Sequence, residues 1–146
     1  MIYYFSATGN SRHVANRLAE SLGETVTSVM DVLHQEITVD DRMILVYPNY
    51  CGGVPSMIRT FLQKNVFHIN ENAKLMLVVT YGNNTGASAS IATKYFQKNT
   101  GHAGSLGCLL LQRKHRRFLR RRPHGLQHHP PLLPQVGRRP VEAEQA

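Results

Sequence analysis

Three short stretches concentrate residue types that bind a ligand without carrying charge. They are Ser6-Ala7-Thr8-Gly9-Asn10-Ser11, then Pro48-Asn49-Tyr50-Cys51-Gly52-Gly53-Val54-Pro55, then Thr80-Tyr81-Gly82-Asn83-Asn84-Thr85-Gly86. None contains Asp, Glu, Lys or Arg. In the first, hydroxyls and a glycine stand just before a helical pattern. Backbone N–H groups at a helix start, together with the positive end of its dipole, form an anion site. The hydroxyls of Ser6, Thr8 and Ser11 and the Asn10 amide add neutral hydrogen bonds suited to a phosphate monoester. With no Lys, the loop is not the P-loop of a nucleoside triphosphatase, nor is it a Gly-x-Gly-x-x-Gly turn. The plainer alternative is a Ser/Thr-rich helix cap. For Tyr50 and Tyr81 the alternative is partial core packing, and for Cys51 a small buried side chain. No Ser/His/Asp or Cys/His spacing argues for hydrolysis, so no catalytic residue is assigned. His13 reads as solvated, and His34, His68 and His102 show no pairing. Cys108, inside an apolar run, reads as core.

The elements that must position these stretches alternate. Ile2–Phe5 is a short apolar strand. Val14, Leu18 and Leu22, with Ala15 and Ala19, fall on one helical face, and Gly23 supplies the stop. Thr25–Val29 reads as a weaker strand. Met43–Tyr47 is an unbroken apolar run, as expected of a central strand buried on both faces. Met57, Ile58, Phe61 and Leu62 form a second helical stripe that begins near Pro55 and ends before Asn65. Leu75–Thr80 is a further buried strand. Ala89, Ala92, Tyr95, Phe96 and Asn99 mark a third helix ending at Gly101, and Leu106–Leu111 a last apolar run. Such alternation predicts an open parallel α/β sheet. In that architecture all three stretches follow strands and share one edge, where ligands bind.

On these residues the chain resembles the flavodoxins. Ser6-Ala7-Thr8-Gly9-Asn10-Ser11 meets their Thr/Ser-x-Thr-Gly-x-Thr phosphate loop. Together with Tyr47–Pro55 and Thr80-Tyr81-Gly82 it is similar to flavodoxin domains that some microbes fuse to a two-cluster ferredoxin. The resemblance covers about residues 1–107. It implies a flavodoxin-like three-layer α/β sandwich with a parallel sheet in order 2-1-3-4-5, FMN as cofactor, and electron transfer as function. It further implies that Ser6, Thr8, Gly9, Asn10 and Ser11 hold the phosphate. Pro48, Asn49, Tyr50, Cys51, Gly52, Gly53, Thr80, Tyr81 and Gly82 would line the isoalloxazine ring, with Tyr50 or Tyr81 stacked on it. A peptide near Gly52-Gly53 would flip to meet the reduced ring. The absence of carboxylates from the loops implies a less negative second reduction step than in acidic flavodoxins.

Length and charge set the outer limits. The 146 residues suffice for one core, and two cysteines exclude a disulfide framework or a Cys-rich metal module. No apolar run of membrane-spanning length and no secretory signal is seen, so a soluble cytoplasmic protein is expected. The formal net charge of +8 is not evenly spread: residues 1–112 carry +1 and residues 113–146 carry +7. Five of seven prolines and half of the eight histidines fall in the latter segment, which holds only one aromatic, Phe118. Residues 1–112 are therefore read as the FMN-binding domain and 113–146 as an irregular basic tail. The tail lacks the ring-side loop and closing helix that the resemblance leads one to expect, so the last helix is taken as missing or irregular. It reads as a frameshifted or truncated ending rather than a nucleic-acid arm, and His124, His128 and His129 as a weak metal signal. With no iron–sulfur ligands in the chain, a ferredoxin partner would be a separate protein. Membrane and nucleic acid are not expected partners, and a homo-oligomer is left open. Two other readings stay open: an FMN-dependent NAD(P)H:quinone-type reductase, and a non-redox binding module whose tail contacts nucleic acid.

Overall fold

A computed structural model describes residues 1–84, 86–102 and 106–112. Its elements follow in order: β1 (Ile2–Tyr4), α1 (Asn10–Leu22), β2 (Val26–Ser28), a single 3₁₀ turn (Val29–Asp31), β3 (Glu36–Val39), β4 (Arg42–Pro48), α2 (Ser56–Lys64), β5 (Val66–Ile69), β6 (Lys74–Tyr81), α3 (Ser88–Thr100) and β7 (Leu106–Gln112). Five strands form one parallel sheet in the order β2-β1-β4-β6-β7. Counting only these five, that is the expected 2-1-3-4-5.

The side-chain alternation of the strands divides the core into two layers. Tyr3, Leu45, Tyr47, Leu77 and Val79 pack with Ile58, Phe61 and Leu62 of α2 and Ala92 and Phe96 of α3. Ile2, Ile44, Val46 and Val78 face the other way, against Ala15, Val14, Leu18 and Ala19 of α1. The chain is thus helix, sheet, helices in three layers. β4 lies at the centre, with Leu45, Val46 and Tyr47 fully buried, which is why its sequence has no polar alternation. Gly23 and Gly101 close α1 and α3, each donating its N–H to a carbonyl four residues back. An aromatic cluster running Tyr3–Phe61–Phe67–Phe96, with ring centroids 5.2 to 5.5 Å apart, ties β1 to both helices of its face.

A second, two-stranded parallel sheet pairs β3 with β5, register Glu36↔Val66 through Val39↔Ile69. Sequence patterning did not reveal it. Each strand has only four residues, and only Ile37 and Val39 are fully buried, so the period-2 signal is too short to stand out.

Two expectations are corrected. Cys108 is exposed rather than core: β7 has a strand neighbour on one side only among the described residues, and Gly107 through Leu110 are all exposed. His68 is not without a partner, since its Nε2 lies 3.4 Å from Glu36 Oε2 across the small sheet. The expected irregular tail, its histidines and the missing last helix lie outside the described residues. No helix among the described residues is long and apolar enough to cross a membrane.

Candidate functional site

Because β1, β4 and β6 are parallel neighbours, the segments that follow them emerge at one edge of the sheet. Two backbone bonds hold them there: Phe5 N–H to Val46 C=O at 3.0 Å, and Asn49 N–H to Thr80 C=O at 2.8 Å.

The first loop is open to solvent at Ala7, Thr8 and Gly9. Gly9 occupies the position before α1 in a left-handed conformation, and no side chain caps the helix. The hydroxyls do not serve as helix caps: Thr8 Oγ1 instead accepts a 3.1 Å bond from the Asn10 amide. The N–H groups of Ala7 through Ser11 have no hydrogen-bond partner among the described residues, an arrangement suited to an anion. Ser11 is buried, and its hydroxyl lies 2.9 Å from that of Thr80, in the third loop.

The second loop makes a tight hairpin. Tyr50 and Gly53 exchange backbone hydrogen bonds of 3.3 and 2.8 Å, and both central residues, Cys51 and Gly52, have positive φ, 50° and 78°. This is the signature of a type I′ turn. Cys51 is exposed rather than buried, and Tyr50 is exposed while Tyr81 is half-buried. The Gly52-Gly53 peptide is tied at both ends: its C=O accepts from Ala87 N–H at 3.1 Å, and its N–H donates to Tyr50 C=O. The neighbouring Cys51-Gly52 peptide makes no hydrogen bond among the described residues.

In the third loop only Thr80, Tyr81 and Gly82 were expected to contact the cofactor, yet the residues just beyond them hold the second loop. Asn84 C=O accepts the Asn49 amide at 2.5 Å, and Asn84 Oδ1 accepts the Gly86 N–H at 2.7 Å. Gly86 packs directly on the Gly52 backbone. The Asn-x-Gly spacing was the available signal, since Asn side chains bond the backbone two residues on.

The donor set fits a phosphorylated, hydrogen-bonding ligand such as FMN. The uncapped α1 end supplies anion-binding amides. Asn49 Oδ1, buried and without a partner among the described residues, is an acceptor left for a ligand donor. No group of His, Cys, Asp and Glu among the described residues is placed to hold a metal. A family model described as a flavodoxin domain matches residues 1–110. No curated protein and no solved structure matches the chain.

Proposed function

The chain belongs to the flavodoxin family, and from that premise we propose that it binds FMN at the edge formed by the three loops and acts as an electron carrier. The observation that carries this reading is the α1 N-terminus. It is surrounded by hydroxyl residues, none of which caps it, so its amides are left to an external anion. In this reading the N–H groups of residues 7–11 and the side chains of Ser6, Thr8 and Asn10 hold the phosphate. Asn49 offers its Oδ1 to a donor on the flavin, and Tyr50 and Tyr81 flank the ring. When bound, FMN supplies one- and two-electron transfer, so no acid or base from the protein is needed. The protein's part is to orient the ring and expose it to a partner, for which a separate ferredoxin is a suitable type.

The test is FMN fluorescence quenching by the full chain beside the Thr8→Val, Asn10→Leu double variant. Hydrogen bonds to a charged group contribute roughly 1.5–3 kcal/mol each, so the double variant should bind at least about tenfold more weakly. Equal affinity of the two proteins would remove the first loop from the site. Potentiometry of the FMN-loaded protein tests the expectation drawn from the uncharged loops, and a strongly negative second potential would refute it.

A further inference from the structure

The second and third loops are joined at four points. Asn49 donates its N–H to Thr80 C=O at 2.8 Å and its side-chain Nδ2 to Asn84 C=O at 2.5 Å. Ala87 donates its N–H to Gly52 C=O at 3.1 Å, and the Gly86 backbone is seated on that of Gly52. The last two contacts depend on where Gly86 and Ala87 sit. Asn84 sets that position with its own side chain: its Oδ1 accepts the Gly86 N–H at 2.7 Å, tying Gly86 back to it. Asn84 is exposed and has no place in the core. Its side chain nonetheless fixes the surface on which the Tyr50–Gly53 turn rests.

That turn needs outside support. Both of its central residues, Cys51 and Gly52, have positive φ, and the first is not a glycine. A backbone of this kind persists only where its surroundings over-determine it. We propose that Asn84 is a positioning residue for the flavin ring: acting through Gly86, it holds the Tyr50–Gly53 turn in shape before a ligand arrives. Ring binding then does not bear the cost of ordering the turn. The ring comes from the FMN reading, on which this inference rests, whereas the support of the turn is a property of the protein alone. No residue of the first loop hydrogen-bonds to residues 50–53 or 84–87 among the described residues. Support of the ring is therefore separable from binding of the phosphate.

The experiment compares the full chain with Asn84→Ala, Asn84→Asp, Gly86→Ala and the combination of Asn84→Ala with Gly86→Ala. FMN and riboflavin affinities are read by flavin fluorescence. Thermal unfolding and residue-level amide exchange are recorded for each protein without flavin. Asn84→Ala should weaken FMN and riboflavin by the same factor, about threefold to tenfold. Asn84→Asp, which keeps the acceptor for Gly86, should restore the affinity for riboflavin, which is uncharged. The combination should bind no more weakly than Gly86→Ala alone, because both changes act at one seat. Without flavin, Asn84→Ala should speed exchange of the Gly53 N–H, which donates to Tyr50 C=O, and leave the central strands unchanged.

Four results overturn the proposal. Loss of affinity for FMN alone would mean that Asn84 serves the phosphate. Losses that multiply in the combination would mean that it acts apart from Gly86. No rescue by Asn84→Asp would mean that the acceptor is not what matters. Unchanged riboflavin affinity in Asn84→Ala, with or without lowered melting, would leave Asn84 no part in the ring site. If the unaltered chain binds neither flavin, it is the electron-carrier reading that fails. The support of the turn is then decided by the flavin-free exchange, where faster exchange at Gly53 sustains it and unchanged exchange refutes it.

Discussion

Gly86 and Gly82 stand four residues apart in one loop, and the structure separates them sharply. Gly86 has φ of +52°, and a Cβ there would fall inside the Gly52 backbone; Gly82 has open space around it. A side chain at Gly86 would both strain its own backbone and displace the Tyr50–Gly53 turn. Gly86→Ala is expected to lower stability by about 1–3 kcal/mol and to disturb the second loop. Gly82→Ala should stay within about 0.5 kcal/mol of the original. Thermal unfolding checks the stability difference, and amide exchange of residues 50–53 checks the loop. Equal melting of the two variants would mean that the contact between the glycines does not constrain the turn. The same turn places Cys51, not a glycine, at φ +50°, a conformation costing an L-residue roughly 1–2 kcal/mol. The clasp from Asn84, Gly86 and Ala87 is what holds it there.

Among the elements, β7 is the least protected. Met76 of β6 and Leu109 of β7 lie on the α1 face of the sheet, but α1 packs mainly over β1, β2 and β4. Met76, Leu109 and Leu110 are each more than two-fifths exposed. Apolar area of this kind favours association by roughly 25 cal/mol for each Å² covered, and an apolar edge strand without charge is the usual starting point for it. The Met76→Lys, Leu109→Lys double variant should therefore self-associate less at high concentration, as measured by light scattering. Its melting temperature should be little changed, because both side chains are already half in water. Unchanged scattering would show that this face plays no part in association.

Across the whole molecule, the edge opposite the loops is held by a small charged network. The chain's terminal ammonium lies 2.6 Å from Glu24 Oε2 and donates to Arg42 C=O at 3.1 Å, while Arg42 Nε lies 2.7 Å from Glu24 Oε1. The hydrogen bond from the terminal ammonium holds the Glu24 carboxyl below its ordinary range; Arg42 adds to the effect and partial burial opposes it. A carboxyl whose pKa is lowered on folding stabilises the protein above its ordinary pKa. That contribution is lost as pH falls through the lowered value. Glu24→Gln should thus melt below the original at pH 7, with the gap closing in acid. FMN affinity should not change, because the network is at the far end of the strands. A gap that is the same at pH 7 and pH 3 would show that the charge on Glu24 is not what stabilises this edge.

Much of this protein was legible from its residues alone. The unbroken apolar runs of β4 and β6 and the helical stripes of α1, α2 and α3 report local periodicity, and each helix or strand imposes that periodicity on its own segment. Parallel topology then brings the loops after β1, β4 and β6 to one edge without further information. Other features depend on which distant segment arrives beside a residue, and no local pattern records that. Nothing near Ser11 in the sequence announces that its hydroxyl meets that of Thr80, 69 positions away. Cys108 looks like core until its strand proves to have a neighbour on one side only among the described residues. The pairing of β3 with β5, the seating of Gly86 on Gly52 and the unpartnered Asn49 Oδ1 are of the same kind. The hydrophobic pattern determined the elements and their order. Contacts between residues far apart in the chain decided which polar groups are satisfied by the fold and which are not.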